Sequence, residues 1–248
     1  MKLKGIDVSY HNGVVNWDKF KASGIQFAIL RCGYGRKSTK QIDKQFERNY
    51  RECKRVGIPV GVYHYSYAKN SEDARLEADF MLELIAGKQF EYPVIFDIED
   101  KTQEALSKKV LTDITIAFCK KIEAAGYYTA IYSNVDWFIN KLDQSRLEAY
   151  DKWLAHWVTS PRWGNEFGGL WQYSDSGTVD GIKTKVDMNI SYRDYPSIIK
   201  RAGLNGYGNK AVTYRIEAVK TGLSSTEADV LARDVAELGM AAVKKEEK

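Results

Sequence analysis

The sequence predicts an α/β barrel whose second half is irregular. In the first 150 residues, five short apolar runs rich in β-branched and aromatic residues alternate with helical patterns. Three further apolar runs follow, and loops rather than full helices join them. Eight strands in this order are typical of a barrel that carries its functional residues at the carboxyl ends of the strands.

The five strand–helix units follow one another directly. The predicted strands occupy residues 5–9, 27–32, 59–65, 92–100 and 128–133. The predicted helices occupy residues 17–23, 43–56, 71–85 and a long segment that ends at Ala125, with Ser71 as an N-cap and glycines after three of the helices. The three final strands are expected at residues 153–157, 169–173 and 186–190.

A change of composition marks the end of the barrel. Three glycines lie close together between residues 201 and 209, which we interpret as a linker after a catalytic domain of residues 1–200. Residues 210–248 then predict a small α+β module, with a strand at 212–219 and a helix from Ser224 or Ser225 to about Leu238. So few elements cannot bury a core alone, so the module is expected to pack on the barrel, to form a homodimer, or to be incomplete.

Composition excludes several classes of partner. The net charge of +4 is mild and scattered, which argues against a nucleic-acid binder. No apolar run approaches membrane-spanning length, so no membrane partner is expected. The amino terminus runs straight into a strand without a signal-peptide core, which indicates synthesis in the cytosol.

Four carboxylates fall at or near the carboxyl ends of predicted strands. Asp97 and Glu99 are two residues apart in an apolar strand and share one face, with Asp100 on the other face or in the following loop. Asp7 and Asp187 belong to two other predicted strands. Carboxylates are costly to bury unless they are paired, hydrogen-bonded or protonated. Their convergence at one barrel mouth therefore indicates a functional site, although strand-end acids can also be structural.

The residue types leave few kinds of chemistry. Clustered acids could bind Mg²⁺ or Ca²⁺, but no phosphate loop or EF-hand spacing supports this, and the histidines are too dispersed for zinc. No serine elbow appears, and the three cysteines lie in core-like runs, so no metal or other cofactor is predicted. Glycoside hydrolysis, in contrast, needs one protonated and one ionised carboxyl group. Aromatic residues near the same strand ends are candidates for sugar binding, and these are Tyr63, Tyr65, Tyr132, Trp157, Trp171 and Tyr173.

Three segments resemble glycoside hydrolase family 25, the lysozymes (N-acetylmuramidases) common among phage endolysins. They are Asp7-Val8-Ser9-Tyr10-His11-Asn12-Gly13, Phe96-Asp97-Ile98-Glu99, and Leu170-Trp171-Gln172-Tyr173 with Val186-Asp187-Met188-Asn189. The resemblance covers about residues 2–195 and implies a flattened (β/α)5β3 TIM-like barrel. It also implies cleavage of the β-1,4 bond between N-acetylmuramic acid and N-acetylglucosamine in peptidoglycan glycan strands. Glu99 matches the proton donor, Asp97 the carboxylate beside the anomeric centre, and Asp7 and Asp187 the supporting acids.

The resemblance carries further expectations and leaves alternatives open. In the usual endolysin layout, residues 210–248 bind cell-wall carbohydrate, and the enzyme reaches the wall after holin-type release. Glu99 must be protonated near neutral pH, and we expect an ionised Asp97 to raise its pKa. Whether Asp97 attacks directly or orients the N-acetyl group of the substrate stays open. The competing interpretations are a chitinase-like glycosidase and an inactive wall-carbohydrate-binding barrel.

Overall fold

Eight strands close into a barrel in chain order, as the sequence predicts. The computed structural model describes residues 2–36, 38–162 and 167–208. The strands are β1 (Leu3–Val8), β2 (Phe27–Tyr34), β3 (Val60–Tyr65), β4 (Val94–Asp97), β5 (Thr129–Asn134), β6 (Asp151–Ala155), β7 (Leu170–Gly177) and β8 (Val186–Ser191). Each predicted strand overlaps an observed one. The alternation of apolar residues was therefore sufficient to find all eight.

The last strand runs against its neighbours. Strands β1 to β7 pair in parallel, whereas β8 is antiparallel to both β7 and β1. A loop rather than a helix joins β7 to β8, which permits this antiparallel return. The sequence suggests that Asp187 lies near the carboxyl end of its strand. This is wrong, because Asp187 is the second residue of β8 and lies near its amino end. It still reaches the functional mouth, because the amino end of an antiparallel strand lies beside the carboxyl ends of parallel ones, and Asp187 pairs with Asp7.

The helices cover the outside of the first four units. They are α1 (Trp17–Ala22), α2 (Phe46–Val56), α3 (Ser71–Ile85) and α4 (Lys108–Ala124), and a single π-helical turn, Trp137–Lys141, follows β5. The N-cap of α3 is Asn70 rather than Ser71, since the Asn70 side chain accepts hydrogen bonds from the backbone N–H groups of Glu72 and Asp73. Within the described ranges, no helix is long and apolar enough to cross a membrane.

Side chains of the strands divide the core into two layers. One cluster fills the barrel and includes Phe27, Ile29, Ile95 and Trp153. A larger cluster joins the outer faces of the strands to the helices and contains residues such as Leu30, Phe96 and Phe118. Strand alternation therefore sends apolar residues to both faces, and polar side chains enter the barrel mainly near its mouth.

Residues 201–208 pack on the barrel and are not a free linker. Helix α5 (Tyr195–Arg201) precedes a turn whose Asn205 is fully buried. The Asn205 amide donates to the carbonyl groups of Phe90 and Tyr92 and accepts from the N–H of Tyr128. The predicted linker at 201–209 is therefore wrong for residues 201–208, which these bonds attach to the barrel. The glycine spacing in the sequence does not reveal such bonds. The predicted module at 210–248 lies outside the described residues.

Candidate active site

The barrel mouth brings the four predicted carboxylates together. Asp7 and Asp187 are direct register partners on β1 and β8, and their side chains are hydrogen-bonded to each other. Asp97 is the last residue of β4, and the charges of Glu99 and Asp7 both raise the pKa of its carboxyl group. The charge of Glu99 also acts on Asp187. All four acids therefore form one electrostatic cluster.

Asp7 is the acid of this cluster whose carboxyl group accepts hydrogen bonds from two amide side chains. The carboxyl group is nearly inaccessible, with 4% of the residue exposed. Its Oδ2 accepts hydrogen bonds from Asn189 Nδ2 at 2.7 Å and from Gln172 Nε2 at 3.0 Å. Burial raises the pKa of Asp7 to about 6, and the bonds from Asn189, Gln172 and Asp187 limit that rise. Asp7 is thus an anion at neutral pH.

Asp187 is the proton-bearing partner of Asp7. Burial, followed by the charge of Asp7 and the hydrogen bond to it, raises the pKa of Asp187 to about 8. Two carboxylates in contact cannot both ionise cheaply, so the proton stays on the one with fewer donors around it. At neutral pH, the protonated Asp187 carboxyl group keeps its proton and donates a hydrogen bond to the Asp7 carboxylate.

Asp97 and Glu99 occupy the end of β4 and the segment just beyond it. The strand ends at Asp97, but its hydrogen-bonding pattern continues, since the N–H of Ile98 donates to the carbonyl of Tyr132. Burial, then the charges of Glu99 and Asp7, raises the pKa of Asp97 well above its usual range. Its Oδ1 is buried and finds no hydrogen-bond partner among the described residues.

Glu99 has the pKa that a neutral-pH proton donor needs. Burial raises this pKa to about 7, and the charges of Asp7 and Asp100 add to the shift. The sequence had suggested that an ionised Asp97 would supply the like charge. The like charges that raise the pKa of Glu99 come from Asp7 and Asp100 instead. Two amides keep Asp7 ionised, whereas burial raises the pKa of Asp97 well above its usual range.

The positive charge of Arg31 offsets part of the negative charge of this cluster. Arg31, on β2, donates from Nε to Asp43 Oδ2 at 2.9 Å, and its guanidinium carbon lies 5.0 Å from the ring centroid of Tyr10 and 5.5 Å from that of Tyr34. The Asp43 carboxylate and the two rings fix the cation in place. Arg31 opposes the rise in the pKa of Asp97.

Four of the six predicted sugar-binding aromatics contact or surround the acids. Tyr65 donates its hydroxyl to Asp100 Oδ2 at 3.0 Å, and Tyr132 donates to Gln172 Oε1 at 3.0 Å. The pKa of Tyr63 rises well above its usual range because of burial and then the charge of Asp7. Trp157 is 56% exposed, and its indole also donates to Gln172 Oε1, at 3.1 Å.

The other two aromatics face a different environment. Because Gln172 points into the barrel toward Asp7, strand alternation places Trp171 on the opposite face of β7. The Trp171 indole donates to the carbonyl of His156 at 2.7 Å, and its ring centroid lies 5.5 Å from that of Tyr173. Tyr173 packs against the outer core cluster. The structure therefore does not bring this pair to the carboxylates.

The histidines do not join the carboxylate cluster. His64 is fully buried beside the rings of Phe80 and Phe118, and burial lowers its pKa to about 4. His11 stacks on Tyr10 at a centroid distance of 4.1 Å, and His156 accepts a backbone hydrogen bond from Arg162. The three histidines therefore lie apart from one another and from the four acids.

Sequence reasoning missed the polar residues that hold Asp7. Gln172 and Asn189 both lie within the motifs quoted above, beside the aromatic and acidic residues that were predicted as site residues. The available signal was an amide side chain between apolar or aromatic neighbours in each strand, since a buried polar group requires a partner. Arg31, in the middle of an apolar strand, carried the same signal.

Comparisons with known proteins agree with this geometry. The family model for glycosyl hydrolases family 25 matches residues 6–182. Lysozyme M1 of Streptomyces globisporus is 28% identical over 202 residues, which cover 75% of this chain and 67% of that protein. The CTP1L endolysin structure matches with a TM-score of 0.70 and 26% identity, over 80% of this chain and 70% of that chain.

A ligand complex is also among the similar structures. The modular autolysin LytC from Streptococcus pneumoniae, solved with a synthetic peptidoglycan ligand, matches with a TM-score of 0.70 and 28% identity. The match covers 77% of this chain and 47% of that chain, so this chain spans about half the length of LytC. Since the family model matches well over half of the sequence, the chain belongs to glycosyl hydrolases family 25.

Proposed function

We propose that this protein is a lysozyme that hydrolyses the β-1,4 bond between N-acetylmuramic acid and N-acetylglucosamine in bacterial peptidoglycan. The observation that carries the proposal is a half-buried Glu99 with a pKa of about 7, beside three other carboxyl groups at the mouth of a barrel of this family. Glycosidases of this kind need a carboxylic acid that is protonated when the substrate binds.

Glu99 acts as the general acid. Its proton passes to the glycosidic oxygen as the bond to the anomeric carbon breaks, which avoids the release of an alkoxide. Glu99 lies just beyond β4 and is only partly exposed, and this partial burial favours the protonated form. The negative charge of Asp7 keeps this proton in place until the leaving oxygen takes it.

Asp97 assists at the anomeric centre. Its Oδ1 has no hydrogen-bond partner among the described residues, so this carboxyl group is not committed to structural bonds on both oxygens. As positive charge develops on the sugar ring in the transition state, the ionised form of Asp97 stabilises that charge directly or through the N-acetyl group of the substrate.

Aromatic side chains bind the glycan strand. Tyr63, Tyr65 and Tyr132 lie around the acids, and the exposed ring of Trp157 offers a flat apolar face at the edge of the site. Sugar rings present apolar C–H faces and polar hydroxyl rims, so such a wall suits them.

The test is to identify the sugar ends that the enzyme produces. Purified protein is incubated with bacterial cell walls, and the new reducing ends are identified after borohydride reduction. We expect muramic acid ends from the wild type and none from the Glu99→Gln variant. Glucosamine ends would refute the proposed bond and favour a chitinase-like reaction, and binding without any product would favour an inactive wall-binding barrel.

For residues 210–248 we propose wall-carbohydrate binding and self-association. The support is their sequence pattern alone, which predicts a half-exposed strand at 212–219 followed by a helix, and such a strand would offer an edge for pairing. Light scattering of the whole protein and of a chain ending at Gly208 tests self-association, and equal monomeric masses would refute it. Pull-down of both proteins with cell walls tests the wall-binding part.

A further inference from the structure

Two amide side chains hold the Asp7 carboxylate from neighbouring strands. Gln172 on β7 and Asn189 on β8 are direct register partners, and both are buried. Each donates to the same oxygen, Asp7 Oδ2, at 3.0 and 2.7 Å. One carboxylate oxygen is thereby fixed by two donors that stand side by side in the sheet.

Tryptophan side chains fix the orientation of both amides. The Trp157 indole donates to Gln172 Oε1 at 3.1 Å, and the Trp153 indole donates to Asn189 Oδ1 at 2.7 Å. An indole nitrogen can only donate, so it must face the amide oxygen, which leaves the NH₂ group to face Asp7. Tyr132 adds a second donor to Gln172 Oε1.

Two chains of hydrogen bonds, here called arms, start at Asp7: the Gln172 arm leads through Gln172 to Trp157, and the Asn189 arm leads through Asn189 to Trp153. The two arms end in different places. Trp153 is 1% exposed and lies inside the barrel, so the Asn189 arm ends in the core. Trp157 is 56% exposed, so the Gln172 arm runs from a carboxylate at the floor of the site to a ring at its rim. A sugar lying on Trp157 is therefore two hydrogen bonds away from Asp7.

We propose that Gln172 is a positioning residue whose side-chain amide holds the Asp7 carboxylate and the Trp157 indole in register with each other. The inference rests on the proposed function and extends it, since it gives the reaction a residue that touches neither proton donor nor substrate. Gln172 keeps Asp7 ionised and oriented, and Asp7 in turn keeps the proton on Glu99. The same amide sets the angle at which Trp157 meets the glycan.

Several other groups face Asp7 and contribute to its ionisation. The charge of Asp7 is coupled to titratable side chains on four strands and the segment after β4, namely Tyr63, Asp97, Glu99, Tyr132 and Asp187. The test therefore changes only the Gln172 amide and leaves these groups in place.

Two variants separate the two bonds of the amide. In Gln172→Glu, a carboxylate still accepts from Trp157 and Tyr132, but the donor to Asp7 is lost and a like charge is added. In Gln172→Leu, both the donor and the acceptor are lost. Trp157→Phe is the matched control for the rim, because it removes the indole N–H and keeps an aromatic ring.

Carboxyl ¹³C NMR and the pH profile of kcat/KM report on Asp7. Loss of the donor raises the pKa of Asp7 in both Gln172 variants, and in Gln172→Glu the added like charge raises it further, so we expect Asp7 and the acid limb of the profile to move up by about one pH unit or more. Gln172→Leu adds no charge and isolates the effect of the lost donor. KM should be little changed in Gln172→Glu, should rise about fivefold in Trp157→Phe, as for one lost neutral hydrogen bond, and should rise at least as much in Gln172→Leu. A purely structural role would lower stability and leave Asp7 and the limb unmoved.

The outcomes distinguish this inference from the proposed function. If Asp7 titrates in Gln172→Glu as it does in the wild type, the positioning role is wrong whether or not the protein lyses walls. If Gln172→Leu keeps the wild-type KM, the coupling to Trp157 is wrong. A wild-type protein without hydrolytic activity would refute the proposed function, and the NMR titration of Asp7 would still decide the positioning role.

Discussion

Asp7 and Glu99 show how one side chain sets the protonation of another. Both are shielded from solvent, which raises the pKa of each, yet hydrogen bonds from two amides keep Asp7 ionised. The resulting charge is one of the causes that raise the pKa of Glu99 to about 7. The site therefore separates an ionised carboxylate from a carboxyl group that holds its proton near neutral pH, through unequal hydrogen bonding rather than through unequal burial.

Replacement of Glu99 by glutamine removes the transferable proton and preserves the side-chain shape. We expect kcat to fall by about 100-fold or more, the usual cost of losing a general acid. Turbidity loss of a cell-wall suspension measures the rate. Glu104→Gln serves as the control, because Glu104 is an exposed carboxylate of the same segment and is not one of the four clustered acids. Retention of a tenth of the wild-type rate by Glu99→Gln would contradict the assigned role.

The individual acids were predictable, but their division of labour was not. Each sits at a predicted strand end, and a buried carboxylate needs a reason, so the sequence pointed to all four. Which of them is ionised depends on Gln172, Asn189 and the pairing of Asp7 with Asp187, and these contacts join residues more than 160 positions apart. Periodicity along a chain carries no information about such contacts.

The direction of β8 decides whether the site can form. Asp187 enters the mouth only because β8 runs antiparallel to β1, in a register that pairs it with Asp7. A helix between β7 and β8 would have returned the chain in parallel and placed Asp187 near the other end of the barrel. The apolar pattern of β8 predicted its existence, and the short loop before it was the clue to its direction.

Asn205 should be important for closing the amino-terminal end of the barrel. Its φ of 54° is left-handed, and its amide bonds three backbone groups around β4 and β5. We expect Asn205→Ala to lower the free energy of unfolding by about 2–4 kcal/mol, since the backbone groups of Phe90, Tyr92 and Tyr128 lose partners. Urea unfolding followed by tryptophan fluorescence measures this change.

The matched variant is Asn205→Gly, which also lacks the amide but tolerates a positive φ. It should be more stable than Asn205→Ala by about 1 kcal/mol and still less stable than the wild type. If Asn205→Ala unfolds at the wild-type urea concentration, residues 201–208 do not stabilise the barrel.

The molecule as a whole is stabilised by its apolar layers and destabilised by its active site. Four acids with raised pKa values are held close together, which opposes folding whenever they are ionised. The two-layer core must offset this cost at neutral pH. Such a conflict between stability and activity is common where an enzyme buries charge.

Glu99→Gln should therefore stabilise the fold in alkaline solution. The folded pKa of about 7 exceeds the ordinary value of 4.5, so Glu99 favours folding below pH 4.5, and this contribution is lost as the pH rises through 7. At pH 8 the variant should be more stable by up to about 3 kcal/mol, and near pH 4 it should match the wild type. Urea unfolding at both pH values measures the difference. An equal difference at both pH values would mean that the Glu99 charge is not responsible.

The most direct measurement is the titration of the Glu99 carboxyl group in the intact protein by ¹³C NMR, with Glu99→Gln used to assign the signal. The structure predicts that Glu99 titrates near pH 7 in the wild type and at a lower pH in Asp7→Asn, because the charge of Asp7 contributes to the shift. Glu99 would then be the proton donor at neutral pH. A wild-type value near 4.5 would contradict this role, since the carboxyl group would then have no proton to give.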